Sequence, residues 1–217
     1  MSLDNLTPKA RELDSFFYAL ADDVIQVTHI MEQRGDELSH RLYVRTVFAF
    51  VEGVIQSMKS ATLLFDELNN PRLLTAEEVT VLKEEDVQLG EHGKVEIKKR
   101  KISLLSNFEF ALYSYAKIQR QEFALDKGGE GWRSLREAIR IRDRLTHPHT
   151  LKDLEVPLAD LEVVERGMQF FRESTVPLVG RKGGSAERAN RDRGRPLLTG
   201  PLPHHPACGS APGGSRS

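Results

Sequence analysis

The sequence predicts an all-α protein, a bundle of about five to six helices with a short helix and a hairpin or loop as an insertion. Apolar residues recur at three- and four-residue steps through most of residues 8–177, which is the period of amphipathic helices. Capping residues, glycines and prolines separate these segments. No internal repeat with a period of 20 to 50 residues is visible, which argues against a solenoid.

The composition is that of a globular protein with nearly balanced charge. Of 217 residues, 29% are charged and 39% hydrophobic, with 31 Lys plus Arg against 32 Asp plus Glu. Residues 178–217 hold seven basic and two acidic side chains, a net charge of +5, so residues 1–177 carry −6. A body of that sign is not a general polyanion binder, and any contact with nucleic acid requires a local basic patch.

The single cysteine, Cys208, has no second cysteine with which to form an internal disulfide. This usage is typical of a reducing compartment. No run approaches the 18 apolar residues of a membrane span, and the first ten residues lack the pattern of a secretory signal. We therefore expect a cytoplasmic protein without a membrane partner.

The first two helices are predicted as a long antiparallel pair. Thr7 is placed as the N-cap and Pro8 at the first helical position of a helix that runs to Gln33 and is ended by Gly35. A second helix of about thirty residues follows Asp36. The apolar stripe of the first helix consists of Leu13, Phe16, Phe17, Leu20, Val24, Val27, Ile30 and Met31.

The insertion follows the break at Asn69, Asn70 and Pro71. Thr75 and Glu78 predict a capping box for a short helix to about Asp86. Residues 87–97 suit a loop or a small hairpin, since Gly90 and Gly93 interrupt an alternating pattern.

Three more helices are predicted, over roughly residues 103–124, from Trp132 to Thr146, and from Pro157 to about Pro177. Pro148 stops the fifth helix. Residues 178–217 are rich in Gly, Pro, Ser and Arg and have no hydrophobic period. We interpret them as a disordered basic tail and residues 1–177 as one helical domain.

The fifth helix holds an arginine where the helical period predicts burial. At about 100° per residue, Arg142 projects between Leu135 and Ala138, inside the apolar stripe. A guanidinium on an apolar face needs a carboxylate partner or a groove left open for a ligand. A salt bridge to another helix, or a side chain that reaches water near the helix end, also explains this position.

His147 follows five residues later, next to Pro148 at the helix exit. Arginine supplies a planar fork of donors and histidine a nitrogen that titrates near neutral pH, so the two can converge on one anion. A histidine that interacts with the C-terminal helix dipole is the alternative. The same spacing recurs between Arg144 and His149, which lie on either side of the proline.

The run RDRLTH at residues 142–147, closing the penultimate helix of an all-α domain, resembles the HEPN superfamily (higher eukaryotes and prokaryotes nucleotide-binding). The family hallmark is an arginine, a polar residue and then a histidine, matched here by Arg142, Asp143 and His147. The toxin branch of the family carries, two residues after the histidine, a tyrosine that a partner enzyme modifies. This chain has His149 there.

The resemblance implies a HEPN-like helical bundle and a metal-independent endoribonuclease without a cofactor, in which two protomers line a shared cleft with Arg142 and His147. It also implies a role in defence, stress response or a toxin-antitoxin system, with an antitoxin or a nucleotidyltransferase as a partner. Asp143 orients the histidine or holds Arg142, and the sequence does not choose between these roles. The alternative is a non-catalytic HEPN-like module for dimerisation or for binding nucleotide or RNA.

Contacts to the RNA backbone are predicted for a second group of basic residues. The group consists of Arg144, His149, Lys98, Lys99, Arg100 and Lys101. The alternative for the run at residues 98–101 is a solvated surface beside a loop. His147, His149 and Asp153 match no familiar metal-ligand spacing, and we predict no metal site.

Overall fold

The computed structural model describes residues 6–179, and these form a helical bundle with one small hairpin. The predicted tail falls almost entirely outside the described residues. The elements are α1 (Leu6–Arg34), α2 (Glu37–Leu68), α3 (Ala76–Leu82), β1 (Glu85–Leu89), β2 (Val95–Lys99), α4 (Leu104–Ile118), α5 (Glu130–Thr146) and α6 (Leu158–Val179). The all-α class and the six helices that the sequence predicts are therefore confirmed.

Helix α2 is the centre of the bundle. It packs against α1, α4, α5 and α6, and most of its apolar side chains are buried. By length and composition it is also apolar enough to cross a membrane, but 61% of its most apolar window is buried within the protein. This burial is what a core helix of a soluble protein shows.

Local signals determine where several elements begin and end. Asp36 caps α2, and its carboxylate accepts a hydrogen bond of 2.8 Å from the backbone N–H of Ser39. Gly35 adopts a φ of 57°, the left-handed conformation that ends α1 and that glycine adopts without steric cost. The capping box predicted for Thr75 and Glu78 is present.

Four predicted boundaries differ from the structure. Helix α1 begins at Leu6, so Thr7 lies inside the helix and is not its N-cap. Helix α3 ends at Leu82 and not near Asp86, because Glu84 turns the chain into β1 with a φ of 54°. Helix α4 ends at Ile118, since Arg120 takes a φ of 52°. Helix α6 continues through Val179, and Leu178 is buried in the core, so the helical domain extends two residues beyond the predicted boundary.

The insertion at residues 87–97 is an antiparallel hairpin, which decides between the two predicted alternatives. Its register pairs Glu85 with Lys99, Val87 with Ile97, and Leu89 with Val95. A short 3-10 turn at Glu91–Gly93 joins the strands. The hairpin packs along α3 and stands at the edge of the bundle.

The stripe predicted on α1 is only partly buried. Ala21, Val27 and Met31 are buried against α2, whereas Phe16, Phe17 and Ile30 are each more than a third exposed. Helix α1 packs on a single neighbour, so one side of it is covered and the stripe is wider than that side.

Close approach of α5 and α6 depends on Gly167. A Cβ atom built there would lie 3.1 Å from Cα of Leu135 and 3.2 Å from Cβ of Ala138, both on α5. The backbone of α5 therefore occupies the space that a larger side chain would need.

We expect Gly167→Leu to lower the free energy of unfolding by about 1–3 kcal/mol, since overpacking a filled core forces the two helices apart. Urea denaturation measures the effect. Gln169→Leu, on the exposed side of the same helix, serves as the control and should change stability by less than about 0.5 kcal/mol. Equal effects of the two substitutions would contradict the close packing at Gly167.

A second prediction concerns Asp36. The backbone N–H of Ser39 and the guanidinium of Arg34 lower the pKa of Asp36 from 3.8 to about 2. Because the pKa of Asp36 is lower in the folded state than in the unfolded state, its ionised carboxylate stabilises the fold. This contribution to the free energy of unfolding is fully present above the unfolded pKa of about 3.8, and it is lost as the pH falls towards the folded pKa of about 2. Asp36→Asn keeps a capping oxygen but cannot titrate. Between pH 4 and pH 2 the wild type should therefore lose more stability than this variant, as measured by thermal unfolding at each pH.

Candidate functional site

The exit of α5 has the geometry that Pro148 predicts. The helix ends at Thr146, and His147 caps it with a φ of −126° and a ψ of 60°, outside the helical range. The backbone N–H of His147 donates a hydrogen bond of 3.0 Å to the carbonyl oxygen of Asp143. Its imidazole is exposed, and within residues 6–179 it makes no side-chain hydrogen bond or ion pair. The ring is therefore accessible from solvent.

Arg142 points from α5 towards α2, where two carboxylates hold it. Its Nη2 donates to the carboxylate of Glu52, and its Nη1 donates to Oδ1 of Asp143 at 2.8 Å. The side chains of Arg142 and Glu52 are 25% and 42% exposed. Of the alternatives predicted for Arg142, the structure shows a carboxylate partner on another helix. Asp143 contacts Arg142, which is the second of the two roles predicted for it.

The same guanidinium lines an open groove of about 370 Å³ between α2, α4 and α5. Its polar residues include Glu52, Gln56, Asn107 and Arg142, and its apolar walls include Ile55 and Leu104. His147 is not among the lining residues. Within one protomer, therefore, the structure places the arginine on the groove and the histidine at the helix exit outside it.

A buried lysine lies beside this groove. Lys59 of α2 is 1% exposed, and its Nζ is 2.6 Å from Oε1 of Glu84 and 3.2 Å from Oδ1 of Asn107. Asn107 also donates to Oε1 of Glu84 at 3.2 Å. A buried ammonium requires such partners, and the three side chains tie α2, α4 and the start of the hairpin together.

The position of Glu84 follows from this cluster. Its φ of 54° is uncommon for a residue other than glycine. Its backbone carbonyl accepts a hydrogen bond of 2.8 Å from the N–H of Arg100, which closes the base of the hairpin. The ion pair with Lys59 and this hydrogen bond hold the residue in a conformation that its side chain disfavours.

A second groove of about 290 Å³ continues from the first and shares Gln56 and Glu84 with it. Three lysines line it, Lys59, Lys83 and Lys99, together with Ser60 and Glu85. Of the predicted basic run, Lys99 therefore lies at a groove. Lys98, Arg100 and Lys101 are exposed, and Nζ of Lys98 lies 3.1 Å from Oε1 of Gln88.

Arg144 has a structural partner. Its Nη2 donates to Oδ2 of Asp160 at 2.7 Å and to the carbonyl oxygen of Glu155 at 2.9 Å, which ties the end of α5 to the start of α6. A contact between Arg144 and RNA stays a prediction, and it would compete with these bonds.

His149 and Asp153 belong to the loop after α5. The exposed His149 donates its backbone N–H to Oδ2 of Asp153 at 2.9 Å. This bond and the one from the N–H of Thr150 lower the pKa of Asp153. In the described part of the chain, no group of three or more His, Cys, Asp or Glu side chains is placed to hold a metal ion.

Sequence reasoning missed Glu52, Lys59, Glu84 and Asn107. For Lys59 a signal existed, because it lies between Ile55 and Thr62 on the stripe of α2 that also carries Met58, where a charge is as unexpected as Arg142 is on α5. For Glu52 and Asn107 no such signal exists, since a polar side chain beside the apolar stripe of a helix is ordinary. Glu84 lies in the turn between α3 and β1, where no helical period applies.

Comparison of the chain with protein-family models, with curated proteins and with solved structures found no match.

We expect Glu84→Ala to lower the free energy of unfolding by about 1–3 kcal/mol, because it leaves the buried ammonium of Lys59 with Asn107 alone. Chemical denaturation measures the loss. Glu91→Ala at the exposed tip of the hairpin is the matched control and should be nearly neutral. If Lys59→Met in the Glu84→Ala background restores no stability, the unpaired charge is not the cause.

Proposed function

We propose that this protein is a metal-independent endoribonuclease of HEPN type, with His147 as the base and Arg142 as the electrophilic group. The observation that carries the proposal is their arrangement at the end of α5. An accessible imidazole without a side-chain partner follows, five residues later, a guanidinium held at a groove. Five residues of helix rise about 7–8 Å, so both side chains belong to one end of the helix.

The residues suit cleavage of a phosphodiester next to a ribose 2′-hydroxyl. His147 takes the proton of the 2′-hydroxyl while O2′ forms a bond to phosphorus, and the bond from phosphorus to O5′ breaks. The leaving oxygen takes a proton from water. The products are a 2′,3′-cyclic phosphate and a 5′-hydroxyl, and the resulting imidazolium returns its proton to solvent.

Arg142 retains donors for the phosphate although it is paired. A guanidinium carries five N–H donors, and Glu52 and Asp143 occupy one each. The remaining three are available to the non-bridging phosphate oxygens, on which charge builds up in the transition state. Holding the fork in place beforehand reduces the cost of orienting it during the reaction.

The cleft for RNA in this proposal is formed by two protomers, since His147 lies off the groove that Arg142 lines within one protomer. Lys98, Lys99, Arg100 and Lys101 provide positive charge beside the second groove, where contacts to the backbone raise affinity without base specificity. Defence, stress response or a toxin-antitoxin system is the setting that we propose for such an activity, with an antitoxin or a nucleotidyltransferase as the partner.

A second candidate function is a non-catalytic helical module that binds RNA, nucleotide or another protein. One observation favours it: two carboxylates neutralise the Arg142 guanidinium. In this case RNA is bound, and no cyclic phosphate ends form.

The test is an assay for cleavage of a single-stranded RNA in EDTA, with mass spectrometry of the product ends. The wild type should produce 2′,3′-cyclic phosphates. His147→Ala should lower kcat by roughly 10²–10⁴ and Arg142→Ala by roughly 10²–10³. Arg142→Lys keeps the charge but loses the fork, and we expect an intermediate rate.

His29→Ala is the control, because His29 is an exposed histidine on α1 far along the chain from the site. It should cleave at the rate of the wild type. Equal cleavage by wild type and His147→Ala refutes the catalytic role, and RNA binding without any cleavage supports the second candidate.

A further inference from the structure

Arg45 of α2 is hydrogen-bonded to the end of α5 that carries His147. Its Nη2 donates to the carbonyl oxygen of Leu145 at 2.9 Å. Leu145 precedes His147 by two residues, so their Cα atoms are at most about 7 Å apart. Arg142 instead lines a groove to which His147 does not belong. A guanidinium at the helix exit is therefore supplied by α2, from a position that no motif of α5 indicates.

Arg45 has no acidic partner in the described part of the chain. The residue is exposed, and among residues 6–179 it forms no ion pair. A guanidinium carries five N–H donors, and the bond to Leu145 uses one of them. Arg142, by contrast, is held by the carboxylates of Glu52 and Asp143. Of the two arginines, Arg45 therefore keeps more charge and more donors for an anion from solvent.

The loop after α5 lies along the same part of α2. Arg41, one turn before Arg45, donates to the carbonyl oxygen of Leu154 in this loop at 3.2 Å. The first turns of α2 are thereby bonded both to the end of α5 and to the loop that follows it. Arg45 and the exposed His147 consequently belong to one surface of a single protomer.

The loop and the start of α2 carry three acidic side chains besides these basic ones. Glu37 is two turns away from Arg45 on α2 and pairs with Arg41 at 3.5 Å. Asp153 accepts two backbone hydrogen bonds from within the loop. Glu155 is exposed at the far end of the loop. The bond from the guanidinium of Arg45 goes to a carbonyl oxygen, and none of these carboxylates neutralises its charge.

The end of α5 would by itself repel an anion, and Arg45 offsets part of that repulsion. The last four carbonyl groups of a helix have no partner within the helix and carry a partial negative charge. Here the carbonyl oxygen of Asp143 accepts a hydrogen bond from the N–H of His147, and that of Leu145 accepts one from Arg45. The cation bonded to this helix end makes the exit accessible to a negatively charged ligand.

We propose that Arg45 binds a phosphate group of single-stranded RNA at the exit of α5, next to the nucleotide whose 2′-hydroxyl meets His147. The planar guanidinium suits a phosphate, because two parallel N–H groups reach two of its oxygens. The proposal rests on the proposed function and adds to it a backbone contact from the same protomer as His147. Arg45 is a binding residue in this scheme, and His147 and Arg142 keep their roles in the reaction.

The test is the salt dependence of RNA binding by the full chain, measured by fluorescence anisotropy. The probe is a single-stranded RNA with 2′-O-methyl groups throughout, which cannot be cleaved through a 2′-hydroxyl. Arg45→Gln should bind it roughly tenfold more weakly at about 0.1 M salt. The slope of log K against log salt should fall in magnitude by about 0.7, which is the loss of one phosphate contact on a single strand. Arg45→Lys keeps the charge and should keep the slope.

Arg133→Gln is the matched control. Arg133 is also an exposed arginine that donates to a backbone carbonyl oxygen, that of Gly128 at 3.1 Å, but it lies at the opposite end of α5. The substitution changes the net charge equally and should leave both the affinity and the slope as in the wild type. With a cleavable RNA, Arg45→Gln should raise KM more than it lowers kcat, whereas His147→Ala lowers kcat.

A second measurement uses the wild type and does not depend on how the variants fold. p-Hydroxyphenylglyoxal modifies exposed arginines, and mass spectrometry locates the modified residues. The 2′-O-methyl RNA should protect Arg45 and should leave the rate at Arg133 unchanged.

Three results overturn the proposal: a slope for Arg45→Gln equal to that of the wild type, an equal fall of the slope in Arg133→Gln, or modification of Arg45 at the same rate with and without RNA. A wild type that does not bind RNA refutes this proposal and the proposed function together. The expected slopes and protection without any cleavage refute only the nuclease. Cleavage with an unchanged slope and KM in Arg45→Gln refutes only the role of Arg45.

Discussion

The structure depends on the need to give a polar partner to every charge that α2 turns towards its neighbours. This helix contacts α1, α4, α5 and α6, so its inward side chains have little access to water. Three of them are charged, and each meets a polar partner outside the helix: Glu52 meets Arg142, Lys59 meets Glu84, and Asp66 accepts hydrogen bonds from the backbone N–H groups of Leu73 and Leu74. Because an unpaired buried charge is costly, these pairs position α5 and the base of the hairpin against the centre of the bundle.

The candidate site is a consequence of that pairing. The ion pair to Glu52 keeps Arg142 at the edge of a groove, and the short link to Asp143 restricts its rotation. The helix then ends at a proline, which leaves His147 accessible with no side-chain partner among residues 6–179. The result is a held cation and a free titratable ring on one helix end. A phosphodiester cleaving site needs both groups, and a binding module needs only the first.

The hairpin and the bundle are stabilised by different interactions. The bundle is stabilised by buried apolar surface along several helices, whereas the hairpin stands at its edge and exposes one complete apolar face. Only its base is tied to the core, through the Lys59 and Glu84 pair and the backbone contact between Glu84 and Arg100. A segment built in this way contributes little buried apolar surface to the core.

The sequence by itself determined the helices, the cap at Thr75, the stop at Pro148 and the place of Arg142 on the apolar stripe of α5, where it needs a carboxylate partner or an open groove, because each depends on residues within a few positions. Only the tertiary structure decided that the partner is Glu52, that Lys59 lies between Glu84 and Asn107, that Arg144 binds Asp160, and that parts of α1 and the hairpin stay exposed. The helical period states which side chains share a stripe. Which side chain of another helix contacts that stripe depends on how helices far apart in the chain pack together. A local sequence pattern does not contain this information.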